Sequence, residues 1–410
     1  MLDVVIVGAG AAGIAAVRRL AELGLSALLV EAKTMVGGRA STDNDTFGVP
    51  FDLGCYWFHS PEHNPLIAHA DALGIRYLAS GQKTRYVRNG EWLNDAEASS
   101  CEEYIEVCFE RIAAHVRHGQ DRAASELFDG SDPWHSAFEA EFTAKQGVPP
   151  QQSSTYDFAR YLWTGDDLPV IGGLGNLISR LAADLPVSLN TPVSRIELLP
   201  RSVRVATARG PIEARAAIVT VSTGVLRSGA IQFVPELPDW KQAAIDALPM
   251  GHCNKVGVSF LRPVLGDCDN WLVVPLRSAL EVVELVLKPG GHEMAVALFN
   301  GPFGKELAGA GAAIMVDYTV ERLVEMFGNE LRKAVSPVQV IADWDHDPFV
   351  LGYVSAALPG RADARLDLAR PLGDRLFFAG EATSLQFMGD VHGAWLSGID
   401  AANAAARALE

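Results

Sequence analysis

The spacing of apolar positions changes several times along the chain, and each change marks an element. Val4 to Val7 form a short continuous apolar run, the pattern of a strand covered on both faces. Gly8, Gly10 and Gly13 follow in G-x-G-x-x-G spacing. An alanine-rich stretch with helical spacing then runs to Gly24, and a second apolar run, Ala27 to Val30, ends at Glu31. The pattern predicts a strand–helix–strand unit at the start of the chain.

From about Ala79 to Gly165 polar, helical spacing dominates, as in E-E-Y-I-E-V-C-F-E-R-I-A-A-H. This predicts a helical insertion covering a pocket. A glycine turn and helix are expected in V-I-G-G-L-G-N-L-I-S-R-L-A. Alternation then predicts strands in S-V-R-V-A-T and in A-A-I-V-T-V-S-T-G-V-L, the latter ending in a glycine turn. Further strands are expected at V-G-V-S-F, N-W-L-V-V-P, Leu280 to Leu287 and E-M-A-V-A-L-F-N, with a helix around V-D-Y-T-V-E-R-L-V-E-M-F. Val256, Val258 and Phe260 share one face of their strand, whereas Lys255 shares the other with Gly257 and Ser259. That lysine is either a solvated charge or a group aimed at something that approaches closely. Near the C-terminus, Leu376 to Ala379 form another buried strand, and a turn at Gly389 to Gly393 opens a last helix.

Length and charge narrow the class. A chain of 410 residues exceeds what one hydrophobic core ordinarily fills, so two domains are expected. A formal charge of −16 argues against a nucleic-acid backbone or an anionic membrane as partner. The five cysteines, Cys55, Cys101, Cys108, Cys253 and Cys268, are odd in number and lack C-x-x-C pairing, as in reduced intracellular proteins. No signal peptide precedes the first strand and no apolar run approaches the ~20 residues of a membrane span, so a cytoplasmic protein is expected. His115 and His118 sit one helical turn apart without a third ligand, so a solvated face is favoured over a metal site.

The opening unit carries a specific chemistry. Gly8 permits a tight turn, Gly10 lets a pyrophosphate reach the backbone, and Gly13 lets the helix pack on the strand. The helix N-terminus stabilises phosphate charge, and Glu31 is placed to accept hydrogen bonds from ribose hydroxyls. An acid there disfavours a 2′-phosphate, which leaves FAD or NAD rather than NADP. Gly37-Gly38-Arg39 adds a flexible basic turn just behind it.

Together with Glu31, that turn resembles the second pyrophosphate contact of the flavin-containing monoamine and polyamine oxidase family. F-D-L-G-C-Y-W-F-H resembles the same family's next motif through Asp52, Leu53, Gly54, Trp57 and His59. The resemblance extends over nearly the whole chain, with the helical insertion unassigned. It is strongest in R-L-F-F-A-G-E-A-T-S-L-Q-F-M-G-D-V-H-G-A-W. It implies an α/β fold: a Rossmann-like FAD-binding domain (1–78, 166–245 and 367–410) interleaved with an α+β substrate domain on a mixed sheet (79–165 and 246–366). It places FAD against Gly8, Gly10, Ala12, Gly13, Glu31, Ala32, Gly38, Arg39, Gly54, Cys55, Tyr56 and Trp57. It adds Val193, Trp344, Gly380, Glu381, Gly389, Asp390 and Val391 from later in the chain. Trp344, Pro348, Gly352 and Pro359-Gly360 fall where the family has a tryptophan, a bend and a strand returning to the flavin.

By the same resemblance, Lys255 is the lysine that holds a water against flavin N5, its small neighbours leaving room for the ring edge. Where some members carry a cysteine bonded to FAD, this chain has Gly352, so non-covalent FAD is expected. Tyr353 is then one wall of an aromatic cage, and Trp344 lines the flavin face beside it. The other wall, a tyrosine or threonine in relatives, is here Asp390, which either caps the last helix or faces the pocket. Facing the pocket, it favours a substrate with an extra positive charge. His59 either contacts a distal amine or packs in the core. The implied activity is oxidation of a small-molecule amine: hydride transfer from the α-carbon to flavin N5, imine hydrolysis to an aldehyde or ketone, and reoxidation by O2 giving H2O2. Another FAD oxidoreductase of the same fold, desaturase- or protoporphyrinogen-oxidase-like, and a non-catalytic flavin-bound protein are the alternatives. A homodimer is common among such flavoproteins, though nothing in the sequence marks an interface.

Overall fold

The computed structural model describes residues 1–117 and 119–410; His118 of the His115/His118 pair lies outside them. Two sheets organise the chain. The first has eight strands, in the order Gln232–Val234, Val193–Leu198, Val203–Thr207, Gly210–Val219, Leu2–Val7, Ala27–Val30 and Val187–Ser188, with Leu376–Phe378 also pairing to Gly210–Val219. Leu2–Val7 lies between parallel neighbours, Val7 being level with Val30 and with Val219. Burial on both sides explains its continuous apolar run. The helix Ala11–Glu22 covers one face, and the closing helix Val391–Leu409 lies on it. A Cβ at Gly398 would fall 2.0 Å from the Ala12 carbonyl oxygen, so that crossing needs glycine.

The second sheet has seven strands, in the order Val335–Ala342, Cys253–Phe260, Met294–Asn300, Val283–Leu287, Trp271–Leu276, Thr84–Arg88 and Glu91–Trp92. Most of its neighbours are antiparallel, while Trp271–Leu276 and Thr84–Arg88 run parallel, so the sheet is mixed. Val256, Val258 and Phe260 pack into a core that includes Met315, Val320 and Leu323 of the helix Ala312–Phe327. The opposite face turns toward Phe51 and the interior between the sheets.

Four local expectations are revised. The segment 79–165 begins with two strands that extend the second sheet, and turns helical only from Asp95, where Asn94 and Glu97 form a capping box. The strand expected from Leu280 starts at Val283; Leu280 stands in solvent in a turn. After Val219 the chain forms a short helix, Thr223–Ser228, capped by the Ser222 hydroxyl, rather than only a glycine turn. The strand expected to return between Pro348 and Pro359-Gly360 is instead an irregular passage, with turns at both ends and one isolated bridge, Met250 to Ser355, and Leu351 and Gly352 at positive φ interrupt any ladder.

Candidate active site

A continuous cavity of about 600 Å³ runs from the glycine turn of the first sheet to the inner face of the second. At its first end Gly8, Gly10, Ala12, Glu31, Ala32, Gly38 and Val193 lie on the wall. Gly13 lies behind it: a Cβ there would sit 2.0 Å from the Gly8 carbonyl oxygen, so its glycine serves helix–strand packing. At Gly10 a Cβ would meet nothing nearer than the Gly37 oxygen at 3.8 Å, so the open space on that side belongs to the cavity. Glu31 is held by the amides of Ala9 (2.7 Å) and Lys33 (2.8 Å), which orient both carboxylate oxygens while leaving lone pairs for a ribose. A glycine cradle at a helix start, followed by a fixed buried acid, fits the adenosine and pyrophosphate portion of FAD.

The middle of the cavity is lined by Arg39, Cys55, Tyr56, Tyr353, Gly380, Glu381, Gly389 and Val391. Arg39 donates to the Tyr353 carbonyl and to Glu381 (3.0 Å). Glu381 also accepts from the Ser355 hydroxyl (2.7 Å) and the Gly389 amide (3.2 Å). Burial works against its charge, but Arg39 and Arg365 hold its pKa below the usual glutamate value. Arg365 is itself fully buried in a two-pronged pair with Asp157 (2.6 and 2.7 Å). This ionic chain ties residues 39, 157, 355, 365 and 381 into one rigid support. Gly352 has φ +130, and a Cβ there would fall 2.4 Å from the Met250 Cβ, so the position faces packed protein.

The far end is acidic. Five carboxyl groups line it, Glu141, Asp166, Asp167, Glu284 and Asp390, with Lys145 and His59 as the basic groups. Asp390 occupies the N-cap position of the last helix, yet its side chain makes no capping bond. It accepts instead from the Tyr161 hydroxyl and lines the cavity, which resolves its two readings in favour of the pocket. Burial pushes its pKa up to about 6, against the pull of His59 and Tyr161. His59 also faces the cavity rather than a packed core, its Nδ1 lying 2.8 Å from Asp167. That contact is an ion pair without the alignment of a hydrogen bond. Burial opposes His59 protonation, but Asp167 and Asp390 together push its pKa up to about 9. His392, in the turn below, is driven down to about 3 by burial and by His59 and His63, so it adds no charge beside Asp390.

Besides Gly13, three expected contacts lie one layer back. Lys255 is buried, but its ammonium donates to the carbonyls of Asp52 (3.3 Å) and Gly54, behind the wall made by Cys55 and Tyr56. Burial lowers its pKa from the ordinary lysine value. The space beside it is not left for a ring edge: a Cβ at Gly257 would meet Phe51 at 2.5 Å and Phe47 at 2.9 Å. Trp344 donates to the Leu53 carbonyl (3.1 Å) and packs against Leu53, so it braces the wall and does not line the cavity. Gly54 is off the wall because its Cβ direction is filled by the Arg39 carbonyl at 1.9 Å. Trp57 lines the cavity and donates to Gln82 (2.7 Å).

Several lining residues carry no motif in the sequence: Glu141, Lys145, Tyr161, Trp163 and Asn300. Glu284 left a trace, as the lone charge in the apolar strand V-E-L-V-L. Among the described residues, no group of three His, Cys, Asp or Glu side chains is placed to hold a metal ion, and no helix is long and apolar enough to cross a membrane.

The chain is similar to known proteins along almost its whole length. Residues 11–406 match the family model described as flavin containing amine oxidoreductase. Polyamine oxidase 5 of Oryza sativa subsp. japonica is 31% identical, covering 99% of this chain and 88% of its own length. Polyamine oxidase 2 of Arabidopsis thaliana is 30% identical over 98% of this chain and 87% of its own length. Among solved structures, cyclohexylamine oxidase from Brevibacterium oxydans IH-35A superposes with a TM-score of 0.83 at 22% identity, covering 99% of both chains. Putrescine oxidase bound to putrescine gives 0.82 at 21% identity and 98% coverage of both. The glycine cradle, the fixed acid and the matched length lead to one conclusion: the chain belongs to the family of flavin-containing amine oxidoreductases and is a flavin-dependent amine oxidase.

Proposed function

We propose that the protein oxidises amines that carry a second positive charge, with non-covalently held FAD as cofactor and dioxygen as the electron acceptor. One observation carries this: a single cavity joins the dinucleotide cradle at one end to five carboxyl groups at the other. Gly8, Gly10, Glu31 and Arg39 would hold the adenosine and pyrophosphate, and Tyr56, Tyr353, Gly389 and Asp390 would surround the ring portion. Gly352, with no side chain and no room for one, supports non-covalent binding. Bound FAD would supply the hydride acceptor for the amine α-carbon and the route of the electron pair to dioxygen, leaving an imine that water hydrolyses to an aldehyde or ketone.

The chain's own residues set up that chemistry. An amine gives up hydride only when unprotonated, and the Tyr56 and Tyr353 walls desolvate it, which disfavours its ammonium form. The carboxylates hold the other ammonium in place. Asp390 is positioned for this because its hydroxyl partner, Tyr161, leaves the second carboxylate oxygen free. Glu284 is the other candidate, bonded only to Asn300 (3.1 Å), with burial and Glu141 pushing it up to about 7. The names of the polyamine oxidase relatives support a substrate of this class. Lys255 stabilises the Asp52–Gly54 turn behind the ring site and supplies a positive field there, which favours charge developing as oxygen is reduced. The test is anaerobic bleaching of the bound flavin by mono-, di- and polyamines, followed by admission of air. Bleaching by diamines well ahead of monoamines, reversed with peroxide release, is expected. Equal bleaching by monoamines would overturn the two-charge reading, and bleaching by no amine would overturn the amine reading itself.

A further inference from the structure

Lys145 is the one lysine in the acidic end of the cavity, and nothing in the chemistry above requires it. It sits in the last turn of the helix His135–Gln146. Its ammonium is 3.1 Å from Glu141, one turn back on the same helix, and lies over the ring of Trp163 at 4.5 Å from the centroid. Asp167 and Glu284 add their fields. A carboxylate beside an aromatic face is the chemistry that recognises an alkylammonium ion. Here the protein fills that position with an ammonium of its own.

The position is the outer of two. The Lys145, Glu141 and Asp167 side chains are 25%, 23% and 39% exposed, against 10% for Asp390. A cation entering beside Asp390 or Glu284 therefore has a carboxylate waiting, whereas a further cation at the Glu141–Trp163 position meets a carboxylate already neutralised, which leaves the exposed Asp166 as the remaining unpaired acid at that end among the described residues. Resting on the amine-oxidase reading just given, we infer that Lys145 is a specificity-determining residue that limits substrate length. It occupies the outer cation position, so the cavity accepts a linear alkyl diamine and discriminates against triamines and tetraamines. The discrimination is by like-charge repulsion, the negative half of specificity.

The test uses the flavin-loaded enzyme and a series of a linear diamine, triamine and tetraamine, measuring kcat and KM for wild type, Lys145→Met, Lys145→Gln and Lys145→Arg. Methionine keeps the stem that packs beside Trp163, glutamine guards against a folding failure of the methionine variant, and arginine keeps the charge. Wild type is expected to favour the diamine. In Lys145→Met and Lys145→Gln, kcat/KM for the triamine relative to the diamine should rise about tenfold, mainly through KM, as a like charge leaves the outer position. Lys145→Arg should leave the ratio near that of wild type. A ratio unchanged in both neutral variants, or a rise in Lys145→Arg equal to theirs, would retire the length limit while leaving the amine-oxidase reading intact. A wild type whose flavin no amine reduces would remove both.

Discussion

Replacing Asp390 by asparagine separates charge from shape at the acidic end of the cavity. The asparagine oxygen still accepts from Tyr161, so the turn and the wall keep their form and only the negative charge is lost. Two unit charges about 5 Å apart at an effective dielectric of about 20 attract by about 3 kcal/mol. Hydrogen bonds involving a charged group contribute about 1.5–3 kcal/mol net. Part of the loss is offset, because His59 gives up one of the two carboxylates that stabilise its positive form and repels the substrate less. About 2 kcal/mol should remain, a fall of about thirtyfold in kcat/KM for a diamine at pH 8. The pH dependence identifies the cause. Asp390, raised to about 6, is charged above that value and protonated below it, so wild type should approach the variant near pH 5. The assay is steady-state oxidation of a diamine and a monoamine from pH 5 to 9 in both proteins. A deficit of the same size at pH 5 and pH 8, or one equally large for the monoamine, would refute the electrostatic role. Stability should move the other way. A carboxyl whose folded pKa lies above its unfolded one lowers stability as pH rises through about 4 to 6, so Asp390→Asn should raise Tm by a few degrees at pH 8 and leave it unchanged at pH 4.

Three further outcomes are expected. Gly10→Ala should fold normally and lose flavin, since its Cβ meets only open cavity, whereas Gly13→Ala drives a Cβ to 2.0 Å from a carbonyl oxygen and should lower Tm as well; flavin absorbance and thermal melting distinguish the two. Asp157→Ala leaves the fully buried Arg365 without its carboxylate and should cost about 3–5 kcal/mol in urea unfolding, with loosened flavin because Glu381 loses a braced neighbour. Lys255→Met should slow flavin reoxidation by oxygen about tenfold or more while slowing anaerobic reduction less, read by stopped flow; equal slowing of both steps would show that the lysine acts on the shape of the turn alone.

Much of this was written locally in the chain. Burial on both faces demands a continuous apolar strand, and Val4–Val7 is one; a Cβ at Gly13 is sterically forbidden, and the spacing of the glycines states it. Those rules act over a few residues, so the strand–helix–strand unit and the acid at Glu31 are legible without a partner, whereas the start of the helix at Asp95, after two strands that join a distant sheet, was not. Side-chain destination is a different matter. The alternation at 253–260 put Lys255 on the face opposite Val256 and Val258, but whether that face met solvent, a ring edge or a carbonyl depended on Gly54, about 200 residues away, and the rings of Phe47 and Phe51 took the space beside Gly257. Trp344 fell behind the wall for the same reason, its indole N–H finding the Leu53 carbonyl. Asp390 could cap a helix or face a cavity, and the choice was made by the Tyr161 hydroxyl arriving from the helical segment. The sequence by itself determined the cradle and the backbone geometry around it, because steric exclusion and hydrogen-bond periodicity are short-ranged. Only the tertiary structure decided the acidic end, because His59, the Glu141–Lys145 helix turn, Asp167, Glu284 and Asp390 come from five separate segments, and the charges of His59, Glu284 and Asp390 are set by burial and neighbours that exist only after folding.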